Sequence, residues 1–171
     1  MEPDYPRLEL GGLPIVIDSG APDQTNDPIL GESVVRMGEG GGVKLSHWEK
    51  AGGTISAEGL ISSGLDGLNY DGPLLLKLTI PQCITRHDLV FELTSVPRDD
   101  VAPWAYAVVD GDLQRTPCVF LDGVVTVTAV AAADLYIVEW MPMYTVFASR
   151  PAKSFNQGSR RYSWQINWEE V

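Results

Sequence analysis

The stretch Ala105-Tyr-Ala-Val-Val-Asp-Gly-Asp-Leu-Gln-Arg-Thr-Pro-Cys-Val-Phe-Leu-Asp-Gly-Val-Val-Thr-Val-Thr128 decides the fold. Two Asp-Gly pairs, Asp110-Gly111 and Asp122-Gly123, each sit between short runs rich in β-branched and aromatic residues. Glycine enters the positive-φ region without a Cβ clash, and tight hairpin turns demand that region, so Asp-Gly between β-rich runs predicts a hairpin. Two in succession predict a meander.

The same pattern continues on both sides. Residues 135–140 alternate Leu135, Ile137 and Glu139 against Tyr136, Val138 and Trp140, which favours a strand over the single helical turn that 129–134 could form. Residues 143–149 and 162–168 follow as strands around a polar turn from 151 to 159. Tyr162, Trp164, Ile166 and Trp168 fall on one face of the last strand, and burying them would pin the C-terminus in a sheet. Upstream, residues 74–80 form an almost continuous apolar run between Pro73 and Pro81, predicting a strand buried on both faces, and 88–95 alternate. Residues 33–37 and 43–49 flank the glycine-rich 38–42 as a hairpin with a loose tip. Strict alternation puts Val43, Leu45 and His47 on one face and Lys44, Ser46 and Trp48 on the other. Gly52-Gly53 reads as a second breaker, and the glycine-punctuated loop over 59–73 is the first functional candidate.

Residues 1–30 contain Pro3, Pro6, Pro14, Pro22 and Pro28, a density that forbids a helix and predicts an extended N-terminal arm. The fold expected is therefore all-β: an antiparallel β-sandwich or barrel as a single domain over 31–171, with an arm at 1–30 and a paired C-terminal strand.

Composition bounds the function. The 171 residues are 44% hydrophobic, enough for a buried core, and 23 acidic residues against 12 Lys and Arg give a net charge of -11, which repels phosphate backbones and argues against a nucleic-acid binder. No apolar run approaches the roughly 20 residues needed to cross a bilayer, so no membrane insertion is expected. The first residues lack the basic and apolar regions of a signal peptide, so the expected site of synthesis is a cytoplasm. Cys83 and Cys118 cannot form a disulfide framework and read as two small buried side chains.

Motifs for chemistry are absent. His47 and His87 lack a Gly-x-Ser-x-Gly turn to serve, and Cys83-Ile-Thr-Arg-His87 has one zinc-like spacing but no second pair. Asp66/Asp71, Asp99-Asp100 and Asp110/Asp112 lie in turns, where aspartate bonds the nearby backbone, and none has the remaining ligands of a calcium loop. The glycines at 38–42 lack the Lys-Ser/Thr of a phosphate loop. No catalytic, cofactor-binding or metal-binding residue is expected. Arg150, Lys153, Arg160 and Arg161 cluster in an otherwise acidic chain, a polarity suited to head-to-tail assembly.

Three segments carry a family resemblance: Leu60-Ile-Ser-Ser-Gly-Leu-Asp-Gly-Leu-Asn-Tyr-Asp-Gly-Pro-Leu74, Tyr144-Thr-Val-Phe-Ala-Ser-Arg-Pro151 and Tyr162-Ser-Trp-Gln-Ile-Asn-Trp-Glu-Glu-Val171. Over Ser33 to the end the chain resembles small tail-tip or minor tail proteins of long, non-contractile-tailed bacteriophages, Mu-like ones included; the first 30 residues lie outside the likeness. The resemblance implies a non-enzymatic structural protein of the virion tail, made in the host bacterial cytoplasm. The role most compatible with this size is that of the distal tail protein, which joins tail tube to hub or baseplate as a ring, with a hexamer favoured. The partners it implies are copies of the chain, the tail tube, the hub and the tape measure. The residues expected at subunit interfaces are Leu13, Ile15 and Ile17 in the arm, Leu65, Leu68 and Tyr70 in the loop, and Arg160, Arg161, Trp164 and Trp168 near the C-terminus. The alternative is a carbohydrate-binding or adhesion β-sandwich module, with Trp48, Trp104, Trp140, Trp164 and Trp168 as stacking platforms and Trp104 foremost.

Overall fold

A computed structural model describes residues 5–171. In chain order its strands are β1 (Glu9–Leu10), β2 (Leu13–Pro14), β3 (Asp23–Gln24), β4 (Asp27–Arg36), β5 (Gly42–Gly59), β6 (Leu74–Lys77), β7 (Gln82–Arg86), β8 (Val90–Glu92), β9 (Trp104–Val109), β10 (Asp112–Thr116), β11 (Cys118–Leu121), β12 (Val124–Val127), β13 (Leu135–Trp140), β14 (Met143–Ala148), β15 (Ala152–Asn156) and β16 (Arg161–Glu170). One turn of 3-10 helix, Ile17–Ser19, is the only helical element among the described residues. The paired strands are antiparallel, so the chain is all-β as the alternation predicts. No helix is long and apolar enough to cross a membrane.

The chain divides into two compact units where a single domain was expected over 31–171. The first takes the chain through Pro14 and Leu75–Tyr144; the second takes Ile15–Leu74 and Thr145–Val171. The crossings at 74/75 and 144/145 fall inside apolar strands, β6 and β14, so no composition shift marks them.

The first unit is a β-sandwich. A four-stranded sheet, β10-β9-β13-β7, and a three-stranded sheet, β11-β12-β8, share one core. Alternation supplies it: Ala105 and Ala107 from β9, Tyr136, Val138 and Trp140 from β13, Val125 and Val127 from β12, and Phe91 from β8 are all buried in one cluster. Each large apolar side chain taken fully from water contributes roughly 1.5–3 kcal/mol. The Trp140 indole donates to Ser95 Oγ at 3.0 Å, Ser95 donates to Gln82, and Gln82 Nε2 donates to the Tyr144 hydroxyl at 2.8 Å. Both Asp-Gly turns form as the sequence predicts, with positive φ at Asp110, Gly111, Asp122 and Gly123, the geometry of a two-residue type I′ turn.

A buried guanidinium ties the N-terminal segment into this unit. The Arg98 side chain is inaccessible; its Nε and Nη2 donate to the Asp100 carboxylate at 2.8 and 2.6 Å, and Nη1 donates to the backbone oxygens of Arg7 and Leu78 at 2.7 and 3.2 Å. Lys77 adds ion pairs to Asp99 at 2.7 Å and Glu9 at 3.5 Å. These bonds hold both aspartates below their ordinary carboxylate value, chiefly through Arg98 at Asp100 and through Lys77 at Asp99, and the bond to Asp99 raises Lys77. Leu76 and Leu78 are buried but Leu75 is exposed, so β6 is covered on one face, correcting the doubly buried strand expected over 74–80.

The second unit is built on β5, eighteen residues long. Gly52–Gly59 pairs with β16 on one side, β3 and β4 run along the other, and β14 and β15 follow one another along the far edge of β16. Trp164, Ile166 and Trp168 on β16 and Ile55 on β5 are buried, so the aromatic face forms the core predicted for the C-terminal strand. Gly52-Gly53 does not break the strand. A Cβ at Gly53 would lie 2.2 Å from the Thr25 oxygen, and one at Gly59 would lie 2.2 Å from the Ser19 carbonyl carbon. The glycines let residues 18–25 cross β5 at backbone distance, and the Trp164 indole fixes that crossing by donating to Ser19 O at 2.9 Å.

The expected arm at 1–30 does not stand apart over its described residues: Leu8, Leu10, Ile15 and Ser19 are buried, and β1 to β4 are all paired. Proline excludes a helix there but leaves short paired strands open. Met1 to Asp4, at the start of that arm, lie outside the described residues.

Candidate functional site

The element that stands free is the hairpin of β4 and the first half of β5. Every residue from Glu32 to Glu49 is exposed. Arg36 pairs with Gly42 at its end, and the tip closes through Met37 N–H to Gly41 O at 2.9 Å.

Its faces follow from its register. Val35 opposes Val43 and Ser33 opposes Leu45, but after a one-residue shift Gly31 opposes Trp48. His47 is the extra residue of this bulge, and it reverses the parity of β5. Gly31, Ser33 and Val35 alternate onto one face, so their partners Trp48, Leu45 and Val43 share it. Strict alternation had placed Trp48 opposite Leu45, and the bulge corrects it. The outcome is an amphipathic ribbon: Val35, Val43, Leu45 and Trp48 on one side, and Glu32 paired with Lys44 at 2.5 Å on the other. Trp48 is 51% exposed.

Both long edges of the ribbon are open. Among the described residues no strand pairs with the outer side of β4, nor with β5 between residues 42 and 50 on the side away from β4. At residue 51 that side closes, because the Ala51 N–H donates to a Glu170 carboxylate oxygen at 2.9 Å, and Lys50 donates to Val171 O at 2.5 Å. A row of unpaired backbone donors and acceptors beside an apolar face can add a strand from another chain.

The residues expected at interfaces scatter. Leu13 and Ile17 are exposed, Ile17 at 81%, but Ile15 is buried. Leu65 is buried, while Leu68 and Tyr70 are half-buried. The Tyr70 hydroxyl donates to Leu65 O at 2.7 Å, and the Arg150 guanidinium lies 6.0 Å from the ring centroid. Burial, then Asp66, raises the Tyr70 phenol. Trp164 and Trp168 are buried within the chain itself, so they cannot line an interface: the alternation that put them on one face could not say whether a neighbour or the chain itself covers it. Arg160 and Arg161 are exposed, Arg160 in the turn with φ of 53° and Arg161 3.7 Å from Glu58. The hairpin stripe was absent from the expected interface set; its apolar letters were visible, but the bulge that unites them was not.

Of the other tryptophans, Trp140 is buried, and Trp104 is half-buried with its indole N–H donating to Glu139 at 2.7 Å. Cys83 and Cys118 are both free, and Cys83 is exposed rather than buried as expected. Partial burial raises both thiols. His87 Nδ1 lies 2.6 Å from Asp134 O, and His47 sits at the bulge. Among the described residues no three His, Cys, Asp or Glu side chains come together as a metal site. Compared with known proteins, the chain matches no protein-family model and no curated protein.

Proposed function

We propose that this chain is a structural subunit of a bacteriophage tail tip, of the distal tail kind, whose copies form a symmetric ring joining tail tube to hub. The observation that carries this reading is the free hairpin. A two-stranded ribbon alone is marginal in water, and ordering each residue costs about 1–2 kcal/mol in backbone entropy. An exposed ribbon with one apolar face and two open edges gains its missing contacts when a neighbour covers it. The net charge of -11 suits a soluble subunit that assembles only where specific edges and faces match. The resemblance of the loop and C-terminal segments to tail-tip proteins supplies the setting.

The test is the size of the native particle. Sedimentation of the full chain over a concentration series should show a closed oligomer, and replacing residues 32–48 by a short Asn-Gly turn should abolish it while leaving the thermal transition in place. A wild-type chain that stays monomeric at every concentration, alone and with tail-tube and hub proteins, overturns the reading.

A further inference from the structure

The ladder inside the free ribbon fixes which of its backbone groups are left over. At the tip Met37 N–H donates to Gly41 O, and at the base Thr25 N–H donates to Thr54 O, each at 2.9 Å. In an antiparallel pair, residues that bond to the partner strand alternate with residues whose N–H and C=O both turn away from it. Stepping by two from either end, Ile29, Gly31, Ser33 and Val35 bond inward to β5. Glu32, Val34 and Arg36 on β4, and their partners Ser46, Lys44 and Gly42 on β5, therefore turn their N–H and C=O groups to the two open edges. Each edge carries three such residues, and the two sets match in spacing.

Their charges match as well. Residues 32–48 hold two acidic residues, Glu32 and Glu39, and two basic ones, Arg36 and Lys44, so the whole net charge of -11 lies elsewhere in the chain. The ribbon is thus an element through which acidic copies can approach one another without like-charge repulsion. Neither open edge carries proline at these six positions.

We propose that β4 of one copy pairs with β5 of the next along these edges, a contact that rests on the ring-forming reading above and names the strands that make it. In a ring all ribbons point the same way, so β4 running toward its tip lies beside a neighbour's β5 running back, and each junction is antiparallel like the ladder within a copy. The register within each copy, repeated between copies, sets Val34 opposite Lys44 of the neighbour, with Glu32 opposite Ser46 and Arg36 opposite Gly42. Every Lys44 then has a Glu32 on either side, its own at 2.5 Å and the neighbour's one diagonal step away. The apolar sides of the ribbons join into one continuous face. Because β4 and β5 are unlike edges, the contact is heterologous, the kind that propagates around a ring.

The test uses the full chain. Val34→Pro removes an edge N–H that the ribbon's own ladder does not use, and should weaken self-association at least about 10-fold in sedimentation while the thermal transition stays in place. Val34→Thr keeps the N–H and should associate as wild type does. In a Cys83→Ser, Cys118→Ser background, Val34→Cys chains mixed with Lys44→Cys chains should form disulfide-linked pairs on mild oxidation, because residues opposite one another on bonded strands lie within disulfide reach. Val34→Cys chains alone should not. Cross-linking of Val34→Cys chains to themselves shows two like edges meeting and overturns this contact. So does a mixture that stays unlinked, or a Val34→Pro chain that associates at wild-type strength, and each of these leaves the ring reading intact. A wild-type chain that binds only an added tail protein and never itself removes this contact too, and one that binds nothing removes the ring reading with it.

Discussion

Trp48 lies across Gly31 from the neighbouring strand, so close that a Cβ at residue 31 would stand 2.3 Å from the indole Nε1. The missing side chain on β4 is thus the seat for the largest apolar side chain of the hairpin. Gly31→Ala should lift the indole into water while the packed part of the unit stays intact. The expected result is red-shifted emission from Trp48, read against a Trp48→Phe control, with global stability within about 0.5 kcal/mol of wild type. A cooperative loss of stability would show that the ribbon is coupled to the core.

Gly53 and Gly59 should behave differently, because the atoms in their way are backbone. Gly53→Ala or Gly59→Ala must push Thr25 or Ser19 off β5. Overpacking of this kind costs about 1–3 kcal/mol, equivalent to a fall of roughly 2–12 °C in Tm for a chain of this size. Gly67→Ala, where nothing lies within 4 Å, is the control and should leave Tm unchanged.

The Arg98 and Lys77 cluster sets a pH window. Asp99 and Asp100 titrate below 3.8 in the folded chain, so near and below that value the unfolded chain binds more protons. Their stabilisation is complete above the ordinary value and is lost as pH falls through the lowered ones. Lys77 titrates above 10.5, so its contribution is complete below that value and is lost as pH rises through the raised one. Stability from this cluster should be flat between these limits and fall outside them. Asp100→Asn should remove part of the acid limb and cost about 1–2 kcal/mol at neutral pH, a modest figure because the carboxylate is partly solvated. Thermal melts of both proteins across pH check it.

Ser95→Ala removes the acceptor for the buried Trp140 indole N–H and the donor to Gln82. An unpaired buried donor costs about 1–3 kcal/mol, and the near-ultraviolet circular dichroism of Trp140 should change with it. Thr126→Ala, on the exposed face of the neighbouring sheet, should do neither.

What could be read in the letters depended on how local its cause was. The hairpins over 105–128 follow from Asp-Gly turns, whose geometry two residues decide, and the aromatic face of β16 follows from simple alternation. β7 and β15 escaped because their letters, Gln-Cys-Ile-Thr-Arg and Ala-Lys-Ser-Phe-Asn, are those of a turn as much as of a strand; pairing with β13 and β16 extends them. Gly52-Gly53 looked like punctuation because a close crossing by residues thirty positions away leaves no local mark. The hairpin stripe needed the bulge at His47, a register choice made between strands. Burial of Leu65, Trp164 and Trp168 was equally illegible as core or interface, since an apolar face states only that something covers it.

The continuity of β5 has a mechanical consequence. The strand carrying the exposed tip is the same one that is laddered to β16 over eight residues, Gly52–Gly59, with only the bulge at His47 between. A pull along the ribbon therefore loads those rungs in shear, all together, instead of peeling them one by one. Whatever grips the tip holds the second unit by its strongest grain.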